Sequence, residues 1–367
     1  MSRAMSVGAV AVATMLLLLS RDMCEGSPGW EMFRADPQHM GASCSTTDPR
    51  GELAWKFKTG GWVQSSPAVT GGSVYVGSID GCLYALEASS GREKWRFKTA
   101  GPVRSSPAIA DGVVYFGSND GNLYAVDVDT GQEKWRFKTR GWVVSSPVAG
   151  DGAIYFGSLD KNLRAMDMQS GLERWRFRTE GCITSSPAIA GGTVYFGSLD
   201  RTFYAVDAKT GKQRWRFRAV DDISSSPTVA DGMVYFGGHD RSVYGLEVET
   251  GQEKWRFRTE GQITSSPAAA AGTILIGSDD GKLYALDSKS GREKWRFEAK
   301  GQVSSSPAVS ATAVYVASLD GNLYALDGGS GQTKWECKTE GPVRSSPALA
   351  EGMVFFGSDD GYLYAVK

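Results

Sequence analysis

Between residues 101 and 140 the chain alternates short apolar runs with small polar clusters. The runs are Ser105-Ser-Pro-Ala-Ile-Ala110, Val113-Val-Tyr-Phe-Gly-Ser118, Leu123-Tyr-Ala-Val-Asp127 and Glu133-Lys-Trp-Arg-Phe-Lys138. Asp111-Gly112, Asn119-Asp120-Gly121 and Thr130-Gly131 separate them. Short runs rich in Val, Tyr, Phe and Trp, bounded by such turn residues, predict four strands joined by tight hairpins, A to D in chain order. Strands B and C are apolar on both faces, as a sheet lying between two other sheets requires. Strand D alternates, with Trp135 and Phe137 on one side and Lys134, Arg136 and Lys138 on the other. A basic strand of this kind guards an outer edge against pairing with other chains. Pro107, which has no N–H for a ladder, suits the start of an edge strand. The pattern therefore predicts strand A innermost, lining a central channel, and strand D outermost.

The same unit recurs along the chain. Trp55, Trp95, Trp135, Trp175, Trp215, Trp255, Trp295 and Trp335 are each 40 residues apart. A fixed period in the 20–50 residue range marks a repeat architecture. Four-stranded meanders repeated radially form a β-propeller. The two ends of the repeat are complementary: Leu363-Tyr-Ala-Val-Lys367 stops after strand C, whereas Gly51-Glu-Leu-Ala-Trp55-Lys-Phe57-Lys58 is a strand D alone. The expectation is an all-β, eight-bladed propeller over residues 51–367, closed by the N-terminal strand D completing the last blade. A solenoid, the rival, calls for polar caps at both ends. In the ring the eight tryptophans dock blade on blade, each burial contributing about 2–3 kcal/mol. Aspartates Asp80 to Asp360 in the B–C turns are expected to bond their own backbone.

Residues 1–26 carry Arg3 and an apolar run from Val7 to Leu19. The run is short of the roughly 18 residues that span a bilayer, so it reads as an export signal, with an uncleaved anchor as the alternative. Arg21-Asp22-Met23 lacks the small residues a lipidation site at Cys24 would need. The polar lead-in, residues 27–50, contains Trp30-Glu-Met-Phe33-Arg-Ala-Asp-Pro37-Gln-His39. It is expected to pack on the ring through Trp30 and Phe33, rather than to serve as a binding arm.

Composition removes several function classes. With 40 Lys+Arg against 41 Asp+Glu, the net charge is −1. No global basic field draws the 367-residue chain to nucleic acid or acidic lipid. Two histidines and five scattered cysteines give little material for zinc or covalent haem. Any disulfide among Cys44, Cys82, Cys182 and Cys337 cannot be assigned from sequence.

At Ala125-Val-Asp127-Val-Asp-Thr130-Gly131-Gln-Glu133-Lys-Trp135 the chain resembles the tryptophan-docking motif of the pyrroloquinoline-quinone (PQQ) repeat family. The resemblance covers residues 51–367 and implies an eight-bladed propeller. That family includes quinoprotein dehydrogenases and non-enzymatic members that assist assembly of outer-membrane β-barrels. The dehydrogenases use adjacent cysteines, a calcium site of Glu, Asn and Asp, a catalytic Asp and long loops over the site. Here no cysteines adjoin and the 40-residue spacing leaves no room for such loops. The resemblance thus implies a non-catalytic scaffold without cofactor. The alternatives are a PQQ-dependent dehydrogenase and a carbohydrate-binding or cell-surface sensor propeller.

Function is expected where the units differ. In the B–C turns, Gly81, Gly121, Gly281, Gly321 and Gly361 are replaced in three consecutive blades by Lys161, Arg201 and Arg241. His239 flanks the third, Arg164 stands where blade 2 has Tyr124, and Val220-Asp221-Asp222 replaces forms such as Thr-Glu-Gly. This basic arc predicts an acidic partner, a protein or polyanionic glycan. Trp62 and Trp142 on the D–A connections are candidate anchors, and Arg104 and Arg344 candidate entrance residues. The chain is expected to be exported and monomeric, and to meet a membrane only through its N-terminal segment or a partner.

Overall fold

The computed structural model describes residues 29–43 and 48–367. Residues 1–28, which include Cys24 and the segment expected to be an export signal, lie outside the described residues, as does Cys44. Eight four-stranded antiparallel sheets, all in the order A-B-C-D, form a ring. In blade 2 the strands are A (Ala108–Ala110), B (Val113–Gly117), C (Asn122–Asp127) and D (Glu133–Lys138). B and C are buried nearly throughout, because sheets flank both faces. D alternates between partly buried Trp135 and Phe137 and exposed basic neighbours. The A strands of adjacent blades touch around the axis, which places A innermost.

Strand A is shorter than the apolar run suggests. It begins at Ala108, after Pro107, because the two serines before it serve the neighbouring blades instead of a ladder. Ser66 N–H donates to Ser106 Oγ, Ser106 N–H to Ser146 Oγ, and so on to Ser346 N–H, which donates to Ser66 Oγ. These eight bonds of 2.9–3.0 Å form an unbroken belt around the axis.

Each tryptophan docks on the following blade. Trp55 Nε1 donates to Ala88 O at 2.8 Å, and Trp95 to Val128 O at 3.1 Å. The indole lies against a glycine of the C–D turn: a Cβ on Gly91 would stand 2.6 Å from the Trp55 ring. That glycine also has a left-handed φ of 71°, so no other residue fits without strain. Ring closure follows the same rule. Leu53–Lys58 pairs with Tyr362–Val366 as strand D of blade 8, and Trp335 donates to Pro49 O at 2.9 Å.

The lead-in fills the ring's centre. Trp30 pairs with Val69 of blade 1 in an antiparallel bridge. Strand-A amides of Ile109, Ile189, Val229, Ala269 and Val309 then donate to Glu31, Pro37, Gln38, Met40 and Gly41 carbonyls, respectively. Trp30 and Phe33 are buried, as expected, but so are Arg34 and His39. Arg34 donates from Nη1 to Pro307 O and from Nη2 to Pro267 O. His39 Nδ1 lies 3.1 Å from Pro227 O. Carbonyls left free at the head of the short A strands thus receive these side chains. Burial lowers the pKa of Arg34 to about 9 and that of His39 to about 3, while it raises that of Asp36 to about 6. At neutral pH the plug therefore holds a cationic Arg34 and a neutral His39.

Candidate functional site

The D–A connections and B–C turns share one face, and a recurrent bond joins them. The amides of Gly60, Ala100, Arg140, Glu180, Glu260, Lys300 and Glu340 donate to the turn aspartate of the next blade at 2.7–3.2 Å. The same aspartate takes the amide two residues on and, in most blades, a strand-C tyrosine, as Asp120 does with Asn122 N and Tyr124 O–H. These carboxylates are structural staples, in keeping with the turn role expected of them. The residue after each pinned amide is glycine, packed directly on the turn: a Cβ on Gly181 or Gly261 would stand 2.3 Å from the Asp200 or Asp280 amide nitrogen.

Blade 5 breaks this pattern. Its connection carries Asp221 at the glycine position, and a side chain cannot approach the turn so closely. Among the described residues, Val220 N–H makes no bond to Asp240; Asp222 N–H instead donates to Asp221 Oδ1 at 2.9 Å. The connection is still held to the turn, His239 N–H donating to Asp222 O at 2.9 Å, but beside Asp221 there is a cleft of about 530 Å³. Arg201 from the blade 4 turn, with His239 and Arg241 from the blade 5 turn, lines it. Arg258 at the end of strand D and Gln262 from the next connection complete the wall, with Val220 and Asp221 on the connection itself.

The charges in this cleft are only partly spent. Arg201 has one loose ion pair, 3.9 Å to Asp222. The side chains of Arg241 and Arg258 bond to no described residue. Asp240 is committed to Ser242 N–H and Tyr244 O–H. Val220 is 65% exposed at the rim. Toward the axis, Ser224 Oγ and His239 Nε2 lie 2.7 Å apart. His239 Nδ1 has no partner among the described residues, so no third group orients the ring for nucleophilic catalysis. Related pairs cross the same mouth: Thr264 with Asp279 at 3.3 Å and Arg344 with Asp359 at 3.0 Å. Burial raises the pKa of Asp279.

The arc read from sequence is thus divided. Lys161, Arg201 and Arg241 are all exposed and have left-handed φ of 67–69°, but only the two arginines enter the cleft. Arg164 is buried and bound to Asp160 at 2.7 Å and Glu173 at 3.2 Å. It takes over the tyrosine's bond to the turn aspartate and presents nothing to a partner. Arg104 is exposed, and Arg344 is engaged by Asp359. Trp62 and Trp142 are each 50% exposed, on connections held by bonds from Ile79 N–H and Leu159 N–H to their carbonyls. Sequence reasoning missed Arg258, which looks like any other cation of the solvated D strands. The usable signal was the missing glycine at 221.

The adjacent cysteine pair of the dehydrogenases has no counterpart among the described residues. Cys82, Cys182 and Cys337 are separate free thiols in different blades. No cluster of three or more His, Cys, Asp and Glu suited to a metal occurs among the described residues.

Comparisons with known proteins agree on the architecture. A family model described as the β-propeller of beta-alanine-activating enzyme matches residues 179–367, just over half the chain. A second, described as outer membrane protein assembly factor BamB, matches residues 42–177 and 117–197. No curated protein matches significantly. Among solved structures, BamB from Moraxella catarrhalis is 19% identical with a TM-score of 0.77, covering 86% of this chain and 99% of its own. Quinohemoprotein alcohol dehydrogenase from Comamonas testosteroni is 15% identical with a TM-score of 0.81, covering 98% and 84%. The computationally designed Ika8 protein is 16% identical with a TM-score of 0.78, covering 86% and 99%. At such identities these likenesses establish the fold alone.

Proposed function

We propose, from the premise that the chain belongs to the β-propeller family described for the beta-alanine-activating enzyme, that it is an extracytoplasmic, non-catalytic scaffold. It binds a protein partner through the D–A/B–C face. One observation carries the reading: departures from the repeat gather on this face as exposed groups with few or no partners among the described residues. They are the half-exposed Trp62 and Trp142, the cations Lys161, Arg201 and Arg241, and the cleft at blade 5. Exposed aromatics and arginines on rigid supports are the residues that anchor protein interfaces. The scattered thiols and the lack of a metal-suited cluster among the described residues argue against a quinoprotein dehydrogenase. The BamB-like resemblance supports a place outside the cytoplasm.

Capture from an envelope extract tests the reading. Immobilised protein is expected to retain a partner that a Trp62→Ala/Trp142→Ala/Arg241→Gly variant loses, while the variant melts no lower. Equal capture by both would refute this face as the interface. Tight PQQ and calcium binding with dye reduction would replace the scaffold with an enzyme.

A further inference from the structure

We infer that the blade 5 cleft is a discrete carboxylate-binding site that seats an acidic, partly apolar peptide segment. The inference rests on the scaffold reading and adds where the partner is gripped and by which chemistry. Seven connections lie flat on the turns, sealed by a glycine and an amide-to-aspartate bond. Among the described residues only blade 5 lacks both the glycine and the amide-to-aspartate bond; Asp221 stands there instead, while His239 N–H still holds Asp222 O at 2.9 Å, and the cleft lies beside it. The space exposes Arg241 and Arg258, whose guanidinium groups have no ionic or hydrogen-bonded partner among the described residues, and Arg201, held only at 3.9 Å.

Planar guanidinium forks match carboxylates in paired hydrogen bonds, and such charge-assisted bonds are among the stronger ones. The formal balance favours a modest anion. Arg201, Arg241 and Arg258 face Asp221 and Asp240, with Asp222 beside Arg201, so a densely charged polyanion would meet repulsion as well as attraction. Gln262 offers an amide suited to a peptide backbone, and exposed Val220 offers an apolar rim. A carboxylate side chain beside an apolar residue uses every one of these groups.

Fluorescence anisotropy supplies the test, using a labelled heptapeptide with two aspartates flanking a leucine and its asparagine counterpart. The acidic peptide is expected to bind saturably, at least tenfold tighter than the asparagine peptide, and to weaken as salt rises. Arg258→Gln, away from any strained turn, is expected to weaken it about tenfold. Arg178→Gln, at the same strand-D position in blade 3 and outside the cleft, is expected to leave it unchanged. Asp221→Gly, which restores the sealing glycine, is expected to abolish binding while the protein stays folded. No saturable binding, equal affinity for the two peptides, or an unaffected Asp221→Gly would overturn the proposal. So would a sulfated oligosaccharide or inorganic phosphate that displaces the peptide at lower concentration than free aspartate does. Loss of the peptide by Arg258→Gln with partner capture retained would sink the cleft alone. Loss of capture by a Trp62→Ala/Trp142→Ala variant, Arg241 kept, with peptide binding intact would support the wider face.

Discussion

Lys161, Arg201 and Arg241 hold left-handed φ of 69°, 67° and 69°, where Gly81, Gly121, Gly281, Gly321 and Gly361 have 83–88°. A residue with a Cβ loses about 1–2 kcal/mol in that region. Glycine gives back about 0.5–1 kcal/mol in backbone entropy, so replacing each cation by glycine should stabilise by roughly 0.5–1 kcal/mol. The steric term has the same sign for the reverse exchange: a Cβ on Gly121 would stand 3.0 Å from Gly141 O. Nothing substantial is forfeited, since Lys161 and Arg241 have no ion pair among the described residues and an exposed contact such as Arg201 with Asp222 is worth little. The triple variant should gain about 1.5–3 kcal/mol. With an unfolding entropy of about 2 cal/mol/K per residue, the melting temperature of this chain should rise by roughly 2–4 °C. Calorimetry reads the shift, with Gly121→Lys as the reverse exchange, expected to melt about 1 °C lower. A lower melting temperature for Lys161→Gly alone would show that these turns are not strained as reasoned.

Two further outcomes follow from the interior. Ser226→Ala removes the acceptor of the buried Ser186 N–H and breaks the serine belt at one link; a buried donor left unpaired should cost about 1–3 kcal/mol, read by chemical denaturation. In the plug, His39 is lowered to about 3 and Asp36 raised to about 6. Below pH 6.5 the unfolded chain takes up the proton that His39 refuses, so stability falls with acidification. Asp36 acts oppositely between about pH 6 and 4, where the native state holds the extra proton. Asp36→Asn should therefore steepen the loss of stability from pH 6.5 to 4, and His39→Gln should flatten it. Parallel pH profiles for both variants and the wild type would contradict this assignment.

The ring was legible because its cause is local and repeated. A 40-residue period, turn glycines and alternation in strand D recur eight times, and the truncated last unit announces the clasp at Leu53–Lys58. What escaped was non-local. Ser105 and Ser106 look like the start of a strand, yet their bonds run to adjacent blades. The lead-in has no periodicity, so nothing in Trp30 to His39 indicated that Arg34 would reach carbonyls of blades 6 and 7. Arg164 read as a surface cation because its acid partners lie across the sheet and the turn. The cleft was half legible. The departures at 201, 220–222, 239 and 241 were visible, whereas the cavity depends on how closely a glycine packs elsewhere.

Near-identical repeats can close into rings of the wrong number, since every blade accepts every other as a neighbour. The plug removes that ambiguity. A single peptide from Trp30 to Ser43 pairs with strand A of blade 1 at one end and blade 7 at the other. Its length and the reach of Arg34 to Pro267 and Pro307 match one circumference. A ring of seven or nine blades would offer this peptide a different set of strand-A partners. The peptide at the axis is a gauge, and it counts to eight.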